Sequence, residues 1–134
     1  MNDLGWEIYP QGIVEVCRKA YGVLPRPIYI TENGTCDNAD RFRARYIAEH
    51  LEALCASDLP VERYYHWCFC DNWEWVEGNS ARFGLVHVDY ETQERTVKDS
   101  GAFYRELIAQ GGVSGELYER CCGGSYPTNG EGNG

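Results

Sequence analysis

The sequence predicts a parallel α/β fold that is one portion of a larger sheet. Helical and extended patterns alternate along the 134 residues as helix, strand, helix, strand, loop, helix, which is the signature of parallel α/β structure. The first extended stretch, Ile28-Tyr29-Ile30-Thr31, is a short β-branched run of the kind that forms a buried strand. Only two main strands are legible, and a parallel strand needs cover on both faces and neighbours on both edges.

The elements follow in order. Residues 1–9 form a polar lead-in carrying Trp6 and Tyr9. Pro10 opens a helical pattern at a position where its fixed φ suits a first turn. Ile13, Val16, Cys17 and Ala20 recur at helical spacing, and Gly22 ends the run. Pro25 and Pro27 bracket the connection to the strand that ends at Glu32, which the Asn33-Gly34 turn stops. After a loop at 35–40, Asn38 or Asp40 is expected to cap a second helix. Phe42, Ile47, Leu51 and Leu54 share its apolar face, and Arg41, Arg43, Arg45, Glu49 and Glu52 are expected in solvent. That helix ends near Ser57-Asp58, and Pro60 blocks its continuation.

Val61 to Cys70 reads as a second strand, rich in aromatics. Residues 71–82 form a long loop, and Phe83 to Val88 a short third strand that turns near Glu91-Thr92. Asp99 or Ser100 starts a helix with Phe103, Leu107 and Ile108 inward, and Gly111-Gly112 stops it. From Gly123 the composition is Gly, Ser, Pro, Asn and Glu, which predicts disorder. The organisation is therefore a folded segment, 1–120, and a Gly-rich tail, 121–134.

Bulk composition excludes some classes. The net charge is -9, which argues against nucleic-acid binding, since phosphate recognition needs clustered Lys and Arg. No apolar run approaches the roughly 18 residues that span a membrane. Residues 1–6 have neither a basic start nor an apolar stretch, so no signal peptide is read there and a cytoplasmic location is expected. The seven cysteines form no regular framework and are read as reduced thiols. Cys68-Phe69-Cys70 beside His66 has the wrong spacing for a metal knuckle. Alternation puts Cys68 and Cys70 on one strand face as small apolar residues. No metal or cofactor is expected.

The residues that could carry chemistry lie in two stretches. Glu32 ends a strand, the place where catalytic groups gather in α/β barrels. Read alone, it is either a turn-capping carboxylate or a functional acid. Trp67, Trp73 and Trp75 cluster with Asn72 and Glu74 in a Gly- and Asn-rich region. Sugars present flat C–H faces and directional hydroxyls, so a sugar site needs indole platforms with acids and amides. Core packing of the three indoles is the competing reading.

Four segments then occur in a telling order: Gly5-Trp6-Glu7-Ile8-Tyr9-Pro10, Tyr29-Ile30-Thr31-Glu32-Asn33-Gly34, Asp71-Asn72-Trp73-Glu74-Trp75, and Arg82-Phe83-Gly84-Leu85-Val86-His87-Val88-Asp89-Tyr90. Together they resemble the C-terminal part of family 1 glycoside hydrolases, the β-glucosidase family, over about residues 5–112. The resemblance implies a partial (β/α)8 TIM barrel, about its last two βα units, strands seven and eight. It implies that Glu32 is the catalytic nucleophile and that Trp67 lies under the sugar ring. Glu74 would accept hydrogen bonds from the 4- and 6-hydroxyls. The Trp75 indole N–H would reach the 3-hydroxyl, and Phe83 would line the pocket. Members acting on 6-phosphorylated sugars usually carry Ser, Lys and Tyr where this chain has Glu74, Ala81 and Phe83, so an unphosphorylated β-glucoside is the expected substrate.

The family's acid/base lies in a Thr-x-Asn-Glu-Pro motif on strand four, and no Asn-Glu-Pro occurs in these 134 residues. The expected function is retaining hydrolysis of β-glucosides or related oligosaccharides, once the N-terminal part of the barrel completes the site. Alone, the chain is expected to be inactive, with strand edges that favour self-association or a complementing barrel chain. The alternatives are a non-catalytic carbohydrate-binding or interaction module, or a nonfunctional remnant.

Overall fold

The computed structural model describes residues 1–128. Helix α1 (Pro10–Val23) leads into strand β1 (Ile28–Asn33). Helix α2 (Arg43–Cys55) then returns the chain to strand β2 (Val61–His66), which pairs parallel with β1. A short 3-10 turn, Trp75–Glu77, interrupts the next loop. Strands β3 (Val86–Val88) and β4 (Arg95–Val97) form an antiparallel pair, followed by helices α3 (Asp99–Gln110) and α4 (Gly115–Cys121).

The parallel sheet has two strands, and one of its faces is covered. On that face Ile30 packs with Val14 and Cys17 of α1 and with Ala53 and Leu54 of α2. A second cluster joins Ile47 of α2, Phe103 of α3, Leu117 of α4 and Leu85. On the uncovered face Tyr29 and Tyr65 are exposed. A sheet with one bare face and unpaired outer edges is what a cut-out of a closed barrel leaves.

Several expectations need correction. Gly22 lies inside α1, which runs to Val23. Val14 is buried on α1, whereas Val16 and Ala20 are exposed. Neither Asn38 nor Asp40 caps α2. The Asp37 carboxylate does so from further back, accepting the amides of Arg41, Phe42 and Arg43 at 3.0, 2.7 and 2.9 Å, which satisfies donors that have no partner within the helix. Arg43, expected in solvent, is 0% exposed. Its guanidinium donates to the carbonyls of Asp37, Arg82 and Gly84 and pairs with Asp40.

The second strand ends at His66, not Cys70. The peptide between Trp67 and Cys68 is cis, and residues 68–71 then bond to the 83–86 stretch instead. The third strand is accordingly confined to Val86–Val88, and its hairpin partner β4 has no counterpart in the sequence reading. The turn between them is held by Asp89, whose carboxylate accepts the Glu91 and Thr92 amides. Ile108 of α3 is 62% exposed rather than inward. Helix α4 has no counterpart in the sequence pattern; it is capped by the Ser114 hydroxyl and anchored by buried Leu117.

The expected tail also differs where it is described. Cys121 belongs to α4 and Cys122 is buried. Tyr126 packs edge-on against Phe42, lies under the Arg45 guanidinium and donates to Glu49 at 2.6 Å. Residues 129–134, the rest of that tail, lie outside the described residues.

Candidate active site at the ends of the parallel strands

The site is built where β1 and β2 end together. Asn33 pairs with His66, and one residue further the Trp67 amide donates to the Asn33 carbonyl at 2.9 Å. Glu32 and Trp67 therefore stand at the same end of neighbouring parallel strands. Gly34 permits this approach. A Cβ there would lie 1.7 Å from the Trp67 carbonyl oxygen, so the chain can pass only without a side chain. The Asn33 side chain is pinned on the helix side, donating to the Tyr46 hydroxyl at 3.1 Å and accepting from the Tyr64 hydroxyl at 2.8 Å. Burial pushes the Tyr46 phenol up to about 12 and the Tyr64 phenol well above its usual range, so both remain neutral hydrogen-bonding groups.

Glu32 is exposed and lines a hollow of about 610 Å³ with Glu7, Tyr9, Val16 and Thr31. Among the described residues it takes part in none of the ion pairs. Trp67 is 37% exposed. A larger hollow, about 720 Å³, lies between α2, α3 and α4 and is lined by Leu51, Leu107, Ile108 and Tyr118. It holds none of the predicted site residues, and Glu52 is the one carboxylate in its lining.

Glu74 and Trp75 sit on the loop after β2. Glu74 is half-buried and its amide donates to the Gly78 carbonyl at 2.8 Å. Trp75 is 79% exposed with a φ of 46°, a conformation that a bulky residue seldom adopts. Its carbonyl accepts the Gly78 amide, which closes the turn. Trp73 is exposed beside them. The indoles of Trp67, Trp73 and Trp75 are thus surface groups among the described residues.

Phe83 differs from its companions. It is 5% exposed and packs with Cys36, Cys68 and Ala81, with the Trp6 ring 6.0 Å away. Its carbonyl accepts from the Cys68 amide and faces His66 Nε2 at 3.3 Å. Cys68 is a buried apolar group whose thiol is pushed up to about 12 by burial, and Cys36 beside it to about 11. All seven cysteines are free. Among the described residues no group of three or more His, Cys, Asp or Glu side chains could hold a metal ion. None of the described helices is long and apolar enough to cross a membrane.

The sequence reading missed the scaffold beneath these groups. Asp71 falls in a motif that assigns it no role. It is buried among Arg82, Lys98 and the Gly84 amide. The signal was its place at the foot of the aromatic loop; its cationic partners, 11 and 27 residues on, could not be matched to it by spacing.

The strand ends of this α/β portion thus carry a carboxylate and an indole, with an acidic, indole-bearing loop beside them. The sequence profile of glycosyl hydrolase family 1 matches residues 1–113, and this chain belongs to that family. The β-galactosidase of Pyrococcus woesei is 39% identical over 125 residues, covering 89% of this chain and 24% of that protein. The β-glucosidase of Agrobacterium sp. is 44% identical over 120 residues, covering 81% and 26%. Among solved structures, the β-glycosidase of Pyrococcus horikoshii superposes with a TM-score of 0.83 at 40% identity, over 90% of this chain and 29% of its own. The family 1 β-glucosidase of Thermotoga maritima, solved with isofagomine lactam, gives 0.77 at 36% identity, over 84% and 29%. The chain thus spans about a quarter of the length of the curated relatives it matches.

Proposed function

We propose that this chain supplies the nucleophile and part of the sugar site of a retaining β-glucosidase, as barrel units seven and eight. The observation that carries the reading is the Asn33–Trp67 backbone bond, which joins the strand ends that carry Glu32 and Trp67. Glu32 attacks the anomeric carbon of an unphosphorylated β-glucoside as the bond to the aglycone oxygen breaks. A second carboxyl, about 5–5.5 Å away, protonates that oxygen and later activates water to release the sugar from Glu32. That second carboxyl comes from the remainder of the barrel. Trp67 supports the sugar ring, Glu74 accepts from the 4- and 6-hydroxyls, Trp75 donates to the 3-hydroxyl, and Phe83 backs the pocket. The bare sheet face with Tyr29 and Tyr65 is where the rest of the barrel closes.

The test is an in-frame fusion of this chain to the Agrobacterium β-glucosidase, in place of the quarter it matches. The fusion should hydrolyse nitrophenyl β-glucoside. Glu32→Gln should reduce turnover roughly 10⁴-fold or more, the scale of losing a catalytic nucleophile. Glu32→Gly with added azide should form the α-glycosyl azide, because azide then attacks from the face that Glu32 leaves. An active fusion indifferent to Glu32 would refute the assignment. The exposed indoles also support a second reading, a carbohydrate-binding module. Sugar binding by the chain alone that survives Glu32→Gln, with no turnover in the fusion, would favour it.

A further inference from the structure

The loop that carries Glu74 and Trp75 has little hold on the body of the protein through its own tip. Its internal bonds, Glu74 to Gly78, Glu77 to Glu74 and Ser80 to Glu77, are local, and Trp73, Trp75 and Val76 project outward. Where the tip stands is decided at its two feet, Asp71 and the Arg82–Gly84 stretch.

Those feet meet on one carboxylate. Asp71 Oδ1 accepts from Lys98 Nζ at 2.8 Å and from the Gly84 amide at 2.9 Å. Its Oδ2 accepts from Arg82 at 3.2 Å, with His87 Nδ1 at 3.5 Å. The Asp71 side chain is fully buried and Lys98 nearly so. Burial pulls the Lys98 ammonium down, neighbouring Arg43 adds to this, and Asp71 opposes it. Arg82 continues outward, donating to the Val88 carbonyl and stacking over Tyr90, whose hydroxyl reaches the Asn72 carbonyl. On the other side the Gly84 carbonyl accepts from Arg43. There is no slack in this joint, since a Cβ on Gly84 would lie 2.2 Å from the Asp71 nitrogen.

We propose that Asp71 is a positioning residue of the site: its buried carboxylate gathers both feet of the 72–81 loop onto Gly84, Lys98 and Arg82, and so sets where Glu74 and Trp75 stand relative to Glu32. The proposal rests on the reading that Glu74 contacts the sugar. Charge-assisted, multiply bonded anchors of this kind hold geometry that a single neutral bond does not. Asp71→Asn is the informative change. It keeps the size but replaces one acceptor oxygen by a donor, which must then face Arg82, Lys98 or Gly84 donor to donor.

Two measurements test it. In the full chain alone, amide hydrogen exchange across 72–81 should quicken at least tenfold in Asp71→Asn while α1 and β1 keep their protection. In the barrel fusion, Asp71→Asn should lower kcat/KM for nitrophenyl β-glucoside about ten- to hundredfold, the range for losing a hydrogen bond to a charged group. The same change in a Glu74→Ala background should cost at least about threefold less than in the wild-type background, because one of the two residues it positions is gone. Lys98→Gln, which opens the anchor from its other side, should show the same dependence on Glu74. An equal loss in both backgrounds would show a general structural role and overturn the proposal, as would unchanged exchange at 72–81. A fusion inactive even with Glu32 and Asp71 intact counts against the functional reading instead, and the exchange result then decides the role of Asp71 by itself.

Discussion

Replacing Arg43 by Met tests the interior wiring most directly. The methionine fills much the same volume, so the loss is one of charge and hydrogen bonds. Not every partner is orphaned. The Arg82 carbonyl keeps the Asp37 amide at 3.1 Å, and the Asp37 carbonyl keeps the Asp40 amide at 3.2 Å. Asp40 keeps the amide and hydroxyl of Ser100. The Gly84 carbonyl has no second donor among the described residues, and an unsatisfied buried carbonyl costs about 1–3 kcal/mol. Asp40 is also left without its cation at 13% exposure, and breaking a buried pair from one side costs roughly 3–5 kcal/mol in all. The expected loss is thus about 4 kcal/mol. With a urea slope of about 2 kcal/mol/M, the midpoint falls by about 2 M. Urea unfolding of the full chain at pH 7, followed by tryptophan fluorescence, measures it. A change under about 0.5 kcal/mol, the size of an ordinary surface substitution, would place Arg43 in solvent and refute the account of this core.

Two further predictions concern the strand ends. Gly34→Ala drives a methyl into the Trp67 carbonyl; overpacking costs about 1–3 kcal/mol, and losing the Asn33–Trp67 bond adds about 1 kcal/mol. Stability should fall by about 2–4 kcal/mol and the near-ultraviolet circular dichroism of the tryptophans should change, whereas wild-type values for both would show that the approach is not tight. His66 is pulled down to about 4 by burial, against its bond to the Phe83 carbonyl. The unfolded chain therefore takes up a proton below about pH 6.5 that the folded chain refuses. Stability is complete above pH 6.5 and should fall by about 3 kcal/mol as pH drops from 7 to 4, with His50 shifted in the same direction by burial. His66→Gln should flatten that slope, and an unchanged slope would locate the titrating group elsewhere.

The legible parts of the fold are those that local chemistry decides. Pro10 begins α1 as expected, Gly111 ends α3 at a φ of 71°, and the apolar run at 28–31 lies within β1. Errors gather where distant residues set the outcome. Arg43 looks like a solvated helix residue until the loops at 37–40 and 82–84 close over it. Asp37 outcompetes Asn38 and Asp40 as a cap because the preceding loop aims its carboxylate at three amides. The strand expected to reach Cys70 stops at His66 because residues 68–71 turn to the 83–86 stretch. Tyr126 sits in a Gly-rich segment whose composition predicts disorder, yet it finds Phe42, Arg45 and Glu49.

The candidate site divides the same way. Glu32, Glu74, Trp75 and Phe83 fall in the motif segments, and Trp67 is named by the resemblance they carry, because residue type and order along the chain are sequence properties. Family membership follows from the same motifs and from the profile match. Sequence by itself therefore determined the chemical vocabulary of this protein: one strand-end carboxylate, a set of indoles and an acidic loop. Tertiary structure alone decided that Trp67 stands against Asn33, that Phe83 is inside rather than lining a surface, and that Asp71 meets Lys98. Each of those facts is a meeting of residues far apart in the chain. Such meetings depend on how closely two backbones pass, as at Gly34 and Gly84, and on which buried charge finds its partner, and neither leaves a periodic trace along the sequence.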